Sequence, residues 1–164
     1  MSLTDYFTRK PAFEIFPLET TDAGIAAALH RARFPRPWND GEFHSLLSQD
    51  PVFGFLALKQ GTPGRIAGGF VLARATAGEA EILTIGVDER FGRSGLGWRL
   101  MLAALREAKM RGAEDIFLEV DDGNTAARGL YAKLGFFKAG ERKAYYAAAD
   151  SRRSTALVLR RDLR

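Results

Sequence analysis

One join constrains the fold more than any other stretch. "AEILTIGVDE" (80–89) reads as a strand, and "WRLMLAALREAKM" (98–110) repeats its apolar residues at helical spacing. Between them lies "RFGRSGLG", which carries Gly92, Gly95 and Gly97. A strand, a glycine loop and a helix in succession make this part of the chain α/β. The loop admits two readings: a tight turn, or a cradle whose backbone N–H groups reach a phosphate beside Arg90 and Arg93. Three other loop chemistries do not fit. A Walker loop needs Gly-Lys-Ser/Thr at the helix start, and a Rossmann fingerprint runs G-x-G-x-x-G rather than G-x-x-G-x-G. A nucleophile elbow on Ser94 would require glycine where Leu96 stands, and both histidines, His30 and His44, lie upstream.

The flanking sequence supplies the rest of a mixed fold. "AFEIFPLE" (12–19) predicts a strand. "TTDAGIAAALHRAR" predicts a helix with capping types at Thr20, Thr21 and Asp22 and an apolar face of Ile25, Leu29 and Ala32. The prolines of "FPRPW" (34–38) interrupt the helix, and "NDGEFHSLLSQ" starts another with Asn39 or Asp40 as cap. "VFGFLALKQ" and "IAGGFVLARATA" flank the turn signal "GTPG" and predict a hairpin, with "EAEILTIGVD" paired onto it. The helix from about Gly95 to Met110 carries Leu96, Leu100, Met101, Ala104, Leu105 and Ala108 on one stripe. "DIFLEVDD" predicts a strand, and "NTAARGLYAKLG" a helix capped by Asn124 and ended by Gly135. "FFKAGERKAYYA" and "STALVLRRDL" predict two final strands. The order β-α-α-β-β-β-α-β-α-β-β predicts an α/β fold with a mixed central sheet of about seven strands and helices on both faces. With no repeat or linker, residues 1–10 read as a loosely held N-terminal tail and 11–164 as a single domain.

Composition narrows the function. The 164 residues are 46% hydrophobic and 27% charged, enough to close a core without a disulfide or metal. There is no cysteine, which removes thiolate nucleophiles and thiolate zinc sites, and the two histidines have no partners at ligand spacing. No metal is expected. The chain starts without an apolar signal region and has no apolar run of membrane-spanning length, so the expectation is a cytoplasmic protein with no membrane partner. A net charge of +4, to which Arg152, Arg153, Arg160, Arg161 and Arg164 contribute, is a mild excess. It lacks the basic stripe with interleaved aromatics of a nucleic-acid binder, so no direct nucleic-acid contact is expected. It suits an anionic cofactor or work near the ribosome.

"AEILTIGVDERFGRSGLGWRLMLAAL", followed by "IFLEVDDGNTAARGLYAKLGF", resembles the acetyl-CoA-binding core of the GCN5-related N-acetyltransferases (the GNAT superfamily). "LETTD", "FPRPW", "LTIGV", "LEV…N…A…LY…LGF" and "YY" are similar, in that order, to the ribosomal-protein-alanine N-acetyltransferase (RimI) group, from about Ala12 to Leu163. The resemblance implies the GNAT acyl-CoA N-acyltransferase fold, acetyl-CoA as co-substrate and no metal. It implies direct transfer, in a ternary complex, to the N-terminal α-amine of a ribosomal protein.

Residue by residue, the resemblance assigns the coenzyme pyrophosphate to Gly92, Arg93, Ser94, Gly95, Leu96 and Gly97, with Trp98 among the coenzyme-binding residues. Gly92 stands where Arg or Gln is usual, and Arg93 can supply that charge. Ile85, Gly86 and Val87 would lie on a splayed strand whose backbone pairs with the pantetheine arm, and Gly86 suits a bulge or a close approach. Asn124 would contact the coenzyme as well as cap its helix. "FPRPW" and "YYAAADSRR" would frame the acceptor groove, with Trp38, Tyr145 and Tyr146 as substrate-binding candidates. Ala147 follows the tyrosine pair where proline is usual, and Asp121 stands where arginine is common; both changes bear on the acceptor.

Attack of a neutral amine on a thioester needs a proton acceptor, oxyanion stabilisation and a proton donor for the departing thiolate. In "FLEV", Ile116, Leu118 and Val120 share one strand face, with Phe117 and Glu119 on the other. Glu119 is then either a solvated strand-end carboxylate or a partly buried base with a raised pKa. Tyr131 shares helical spacing with Ala127, Leu130 and Leu134, which by itself reads as a core tyrosine. The resemblance aligns Glu119 with the catalytic glutamate and Tyr131, twelve residues on, with the general acid. The other readings are an acetyltransferase for a small-molecule amine or lysine side chain, a non-catalytic acyl-CoA-binding module, and a nucleic-acid-binding domain. The protein would act as a monomer or weak dimer.

Overall fold

The computed structural model describes residues 12–144 and 154–164. Seven strands form one sheet: β1 (Phe13–Pro17), β2 (Val52–Lys59), β3 (Ala67–Thr76), β4 (Glu79–Val87), β5 (Asp115–Asp121), β6 (Phe137–Ala144) and β7 (Ser154–Asp162). Their spatial order is β1-β2-β3-β4-β5-β7-β6. Every neighbouring pair is antiparallel except β4 and β5. The crossover between those two is α3 (Leu96–Met110), which packs back onto the sheet as a β-α-β connection must. The remaining helices are α1 (Ala23–Arg33), α2 (Asp40–Leu47) and α4 (Thr125–Lys133).

Two apolar clusters lie on opposite faces of the sheet. On one, the whole predicted stripe of α3 is buried against Val71, Ala73, Ile82 and Leu118, with Tyr131 of α4 joining it. On the other, α1 and α2 cover Leu56, Phe70 and Leu72. Alternation along β3 makes this division, since Val71 enters the first cluster and Phe70 and Leu72 the second.

The inner face of α1 includes the predicted Leu29 and, packed at its edge, Ile25, but not Ala32. Ala23, Ala26, Ala27, Leu29 and His30 are buried, whereas Ile25 is half-buried and Ala32 exposed. Small side chains let the helix lie close to the sheet, so alanines rather than larger apolar residues mark its core face. Of the three predicted capping types, Asp22 takes the N-cap position of α1. Thr20–Asp22 form a 3-10 turn in which Asp22 Oδ2 accepts from the Glu19 N–H at 3.0 Å.

The sheet opens at its centre. β4 and β5 pair only from Glu79–Glu81 to Asp115–Phe117. Beyond that, β4 follows β3 and β5 follows β7. Leu72 faces Thr84 and Ala73 faces Ile82, so Leu83 is the extra residue of a bulge at the point of divergence. A bulge bends its strand and increases its twist, which carries β4 away from β5. Gly86 is therefore the close-approach residue and not the bulge: a Cβ there would lie 3.0 Å from the Phe70 ring. Residues 1–10, Tyr145 and Tyr146 lie outside the described residues. Among the described residues no helix is long and apolar enough to cross a membrane.

Candidate active site

The first helical residues of α3 follow Gly95, whose φ of 80° is left-handed and open to glycine without strain. No side chain caps this helix. Ser94, the only capping residue type in the loop, instead donates its Oγ hydrogen to the Phe91 carbonyl. The first intrahelical backbone bond here is from Arg99 N–H to Gly95 O, at 3.0 Å. The N–H groups of Leu96, Gly97 and Trp98 thus point out of the helix start with no acceptor among the described residues, and the helix dipole adds partial positive charge there. Gly97 lets α3 pack closely on α4: a Cβ there would sit 3.2 Å from Leu130 Cδ2. Arg93 holds a left-handed φ of 62° without being glycine.

These amides border a cleft of about 740 Å³ between the open edge of β4, the loop and α4. It gathers most of the residues expected at a coenzyme site. Ile85, Gly86 and Val87 line it from β4. Gly92, Arg93, Gly95, Leu96, Gly97 and Trp98 line it from the loop and the start of α3, and Asn124 and Tyr131 from the α4 side. Asn124 caps α4, its Oδ1 accepting from the Ala127 N–H at 3.2 Å, which leaves its amide nitrogen free of that duty. Two expected contributors are absent from the lining. Ser94 turns inward, and Arg90 folds onto Asp88 at 2.9 Å with its guanidinium 5.2 Å from the Phe91 ring centroid. That contact holds the Asp88 carboxyl below the ordinary carboxylate range.

Cationic side chains of Arg33, Arg93 and Lys133 line the cleft, and no carboxylate does so among the described residues. Arg33, Phe34 and Lys133 were not expected there. For Lys133 a signal existed: Ala126, Gly129 and Lys133 recur at helical spacing, and all three face the cleft. Arg33 also pairs with Glu89 at 2.8 Å. Neutral amides, cations and a concave apolar wall together suit an elongated, polyanionic ligand. Among the described residues no group of three or more His, Asp or Glu side chains could hold a metal.

Tyr131 and Glu119 stand in opposite environments. Tyr131 is 6% exposed, edge-on to Phe136 at 5.9 Å between ring centroids. Burial pushes its phenol up to about 12, so the hydroxyl stays protonated and available as a donor. Glu119 does not line the cleft. Leu118 and Val120 point into the cluster under α3 and α4, so alternation sends Glu119 to the far face of the sheet. Of its two readings, the solvated carboxylate is nearer: the side chain is 43% exposed, and its Oε1 lies 3.3 Å from Arg142 Nη2 of β6. Base and acid candidates therefore flank β5 from opposite faces, beside the gap where β4 has left it.

Trp38 belongs to another region. It stacks on His30 at 5.0 Å and meets Phe43 edge-on at 5.5 Å, and its backbone N–H donates to His30 Nδ1 at 3.0 Å. Burial lowers the pKa of His30, consistent with a neutral ring accepting at Nδ1. Trp38 borders a shallow depression of about 420 Å³ along α2, outside the cleft. Phe34, from the same "FPRPW" segment, reaches the cleft instead.

The model of the acetyltransferase (GNAT) family matches residues 25–136. The Escherichia coli ribosomal protein bS18-alanine N-acetyltransferase is 33% identical over 144 residues, covering 88% of this chain and 94% of that protein. The crystal structure of the E. coli ribosomal-protein-S18-alanine N-acetyltransferase aligns with a TM-score of 0.80 at 30% identity, over 93% of this chain and 94% of that one. Arabidopsis thaliana NAA60, solved in complex with acetyl-CoA, shares the fold with a TM-score of 0.80 at 17% identity, over 92% and 98% of the two chains. By its sequence over most of its length and by its fold, this chain belongs to the acetyltransferase (GNAT) family.

Proposed function

We propose that this acetyltransferase moves the acetyl group of acetyl-CoA to the N-terminal α-amine of a ribosomal protein, within one domain spanning 11–164 and in a cytoplasmic setting. The observation that carries the reading is the uncapped start of α3 facing a cation-lined cleft that also contains Tyr131. In this reading the amides of Leu96, Gly97 and Trp98, with Arg93, hold the pyrophosphate, and Gly92 and Gly95 let the backbone approach it. The unpaired edge of β4 at Ile85–Val87 holds the pantetheine arm and hydrogen-bonds the acetyl carbonyl as it becomes an oxyanion. The α-amine comes from the face that carries Glu119. The amine nitrogen bonds to the thioester carbon and the C–S bond breaks. Glu119 accepts the amine proton through water, and Tyr131 donates to the departing thiolate.

The α-amine as acceptor is supported by the named substrate of the E. coli relative, an alanine of ribosomal protein bS18. The test uses acetyl-CoA and two peptides, one with a free N-terminal alanine and no lysine, the other with a blocked N-terminus and one internal lysine. Mass spectrometry should find acetyl on the first alone. Acetylation of the second alone, or of neither, overturns the reading. Glu119→Gln should lower kcat by about 100-fold, the scale of one general base.

A further inference from the structure

Among the described residues, the Glu119–Arg142 ion pair is a contact at the proposed base that the reaction scheme leaves without a task. The register explains why Arg142 reaches it. Asp121, Ala156 and Arg142 form one cross-strand row over β5, β7 and β6, and Glu119, Val158 and Gly140 the next. With Ala156 and Val158 in these two rows of β7, the guanidinium crosses that strand diagonally to Glu119 at 3.3 Å. It does not pair with Asp121, the nearer carboxylate by register, whose Oδ1 accepts from the Gly123 N–H at 2.8 Å. Among the described residues Glu119, Asp121 and Arg142 thus share this face beside the gap in the sheet, with Arg160 and Asp115 paired to each other farther along it. Arg142 is 71% exposed. A pair this exposed contributes little to stability, so its main effect is on the charge that an incoming amine meets.

An amine can attack only when neutral. At pH 7.5 an α-amine is about one-third neutral, whereas a lysine ε-amine is about 0.1% neutral, given pKa values near 7.8 and 10.4. Glu119 and Asp121 alone would draw in ammonium ions and concentrate a protonated lysine at the base that must neutralise it. A guanidinium already seated on Glu119 repels an ammonium ion and leaves a neutral amine unaffected. We propose that Arg142 is a positioning residue that sets amine selectivity, reserving Glu119 for neutral amines and so favouring an α-amine over lysine. This rests on the functional reading above.

The test measures kcat and KM for the two peptides with the parent enzyme, Arg142→Gln and Arg142→Lys. Arg142→Gln should raise the ratio of lysine to α-amine kcat/KM by about threefold to tenfold, the scale of one partly screened unit charge. The change should come from a lower KM for the lysine peptide, and Arg142→Lys should restore the parent ratio. An unchanged ratio in Arg142→Gln, an equal loss on both peptides, or no rescue by lysine overturns the role of Arg142 while the α-amine reading stands. A parent enzyme that acts on neither peptide, or on the lysine peptide alone, overturns both together.

Discussion

Two helices in this protein begin in opposite ways. At the start of α2, Asn39 Oδ1 accepts from the Glu42 N–H at 2.9 Å, and Glu42 Oε2 accepts from the Asn39 N–H at 2.7 Å. That reciprocal box satisfies the helix end from within. At the start of α3 the cap position is Gly95, no side chain accepts from the first turn, and the one nearby hydroxyl is spent on Phe91. The first arrangement serves stability. The second leaves polar donors facing an open cleft, where water or an anion can accept from them.

Perturbing what the open start serves should have the largest effect. Tyr131→Phe should lower kcat by about 100-fold with coenzyme affinity unchanged. With its phenol at about 12, the parent should show no loss attributable to tyrosine ionisation up to pH 10. A variant as fast as the parent would remove Tyr131 from the chemistry. Next comes Gly95→Val, which forces a branched side chain into the left-handed region at a cost of about 1–2 kcal/mol. It should weaken acetyl-CoA binding at least about tenfold by calorimetry, about 1.4 kcal/mol. Retained affinity would reduce the loop to a turn.

At the closed start, Asn39→Ala should cost about 1 kcal/mol in denaturant unfolding and leave coenzyme affinity alone. A matching loss of affinity would break the contrast between the two ends. The smallest effect concerns His30, just upstream of α2. Its neutral form is favoured in the fold, so the unfolded chain binds more protons below about pH 6.5. Stability should be complete above that pH and fall as the solution is acidified through it, and the slope should be reduced in His30→Ala.

Much of this was legible in the sequence. The α3 stripe, the caps at Asn39 and Asn124, the β2–β3 hairpin and the glycine at the turn after α4 all rest on spacing within a few residues, and they stand as read. So does the gathering of the loop, Asn124 and Tyr131 around one cleft. The misread positions have separate local causes. Arg90 looked like a phosphate ligand by proximity, but Asp88 two residues away offers a bidentate partner on the same turn. Ala32 looked inward by spacing from Ile25 and Leu29, but the buried face of α1 runs through Ala23, Ala26, Ala27 and His30 instead.

By itself the sequence determined the order of strands and helices and the glycine-rich start of α3. These follow from backbone periodicity and from glycine's own φ preference, whereas the family came from the resemblance of whole motifs. Tertiary structure decided what surrounds Glu119. Its parity on β5 could be read, but its exposure depends on where β4 diverges, and its ion pair depends on the register of β6 against β7. Cross-strand neighbours are set by pairing between distant segments, so no local pattern names Arg142 as the partner of Glu119.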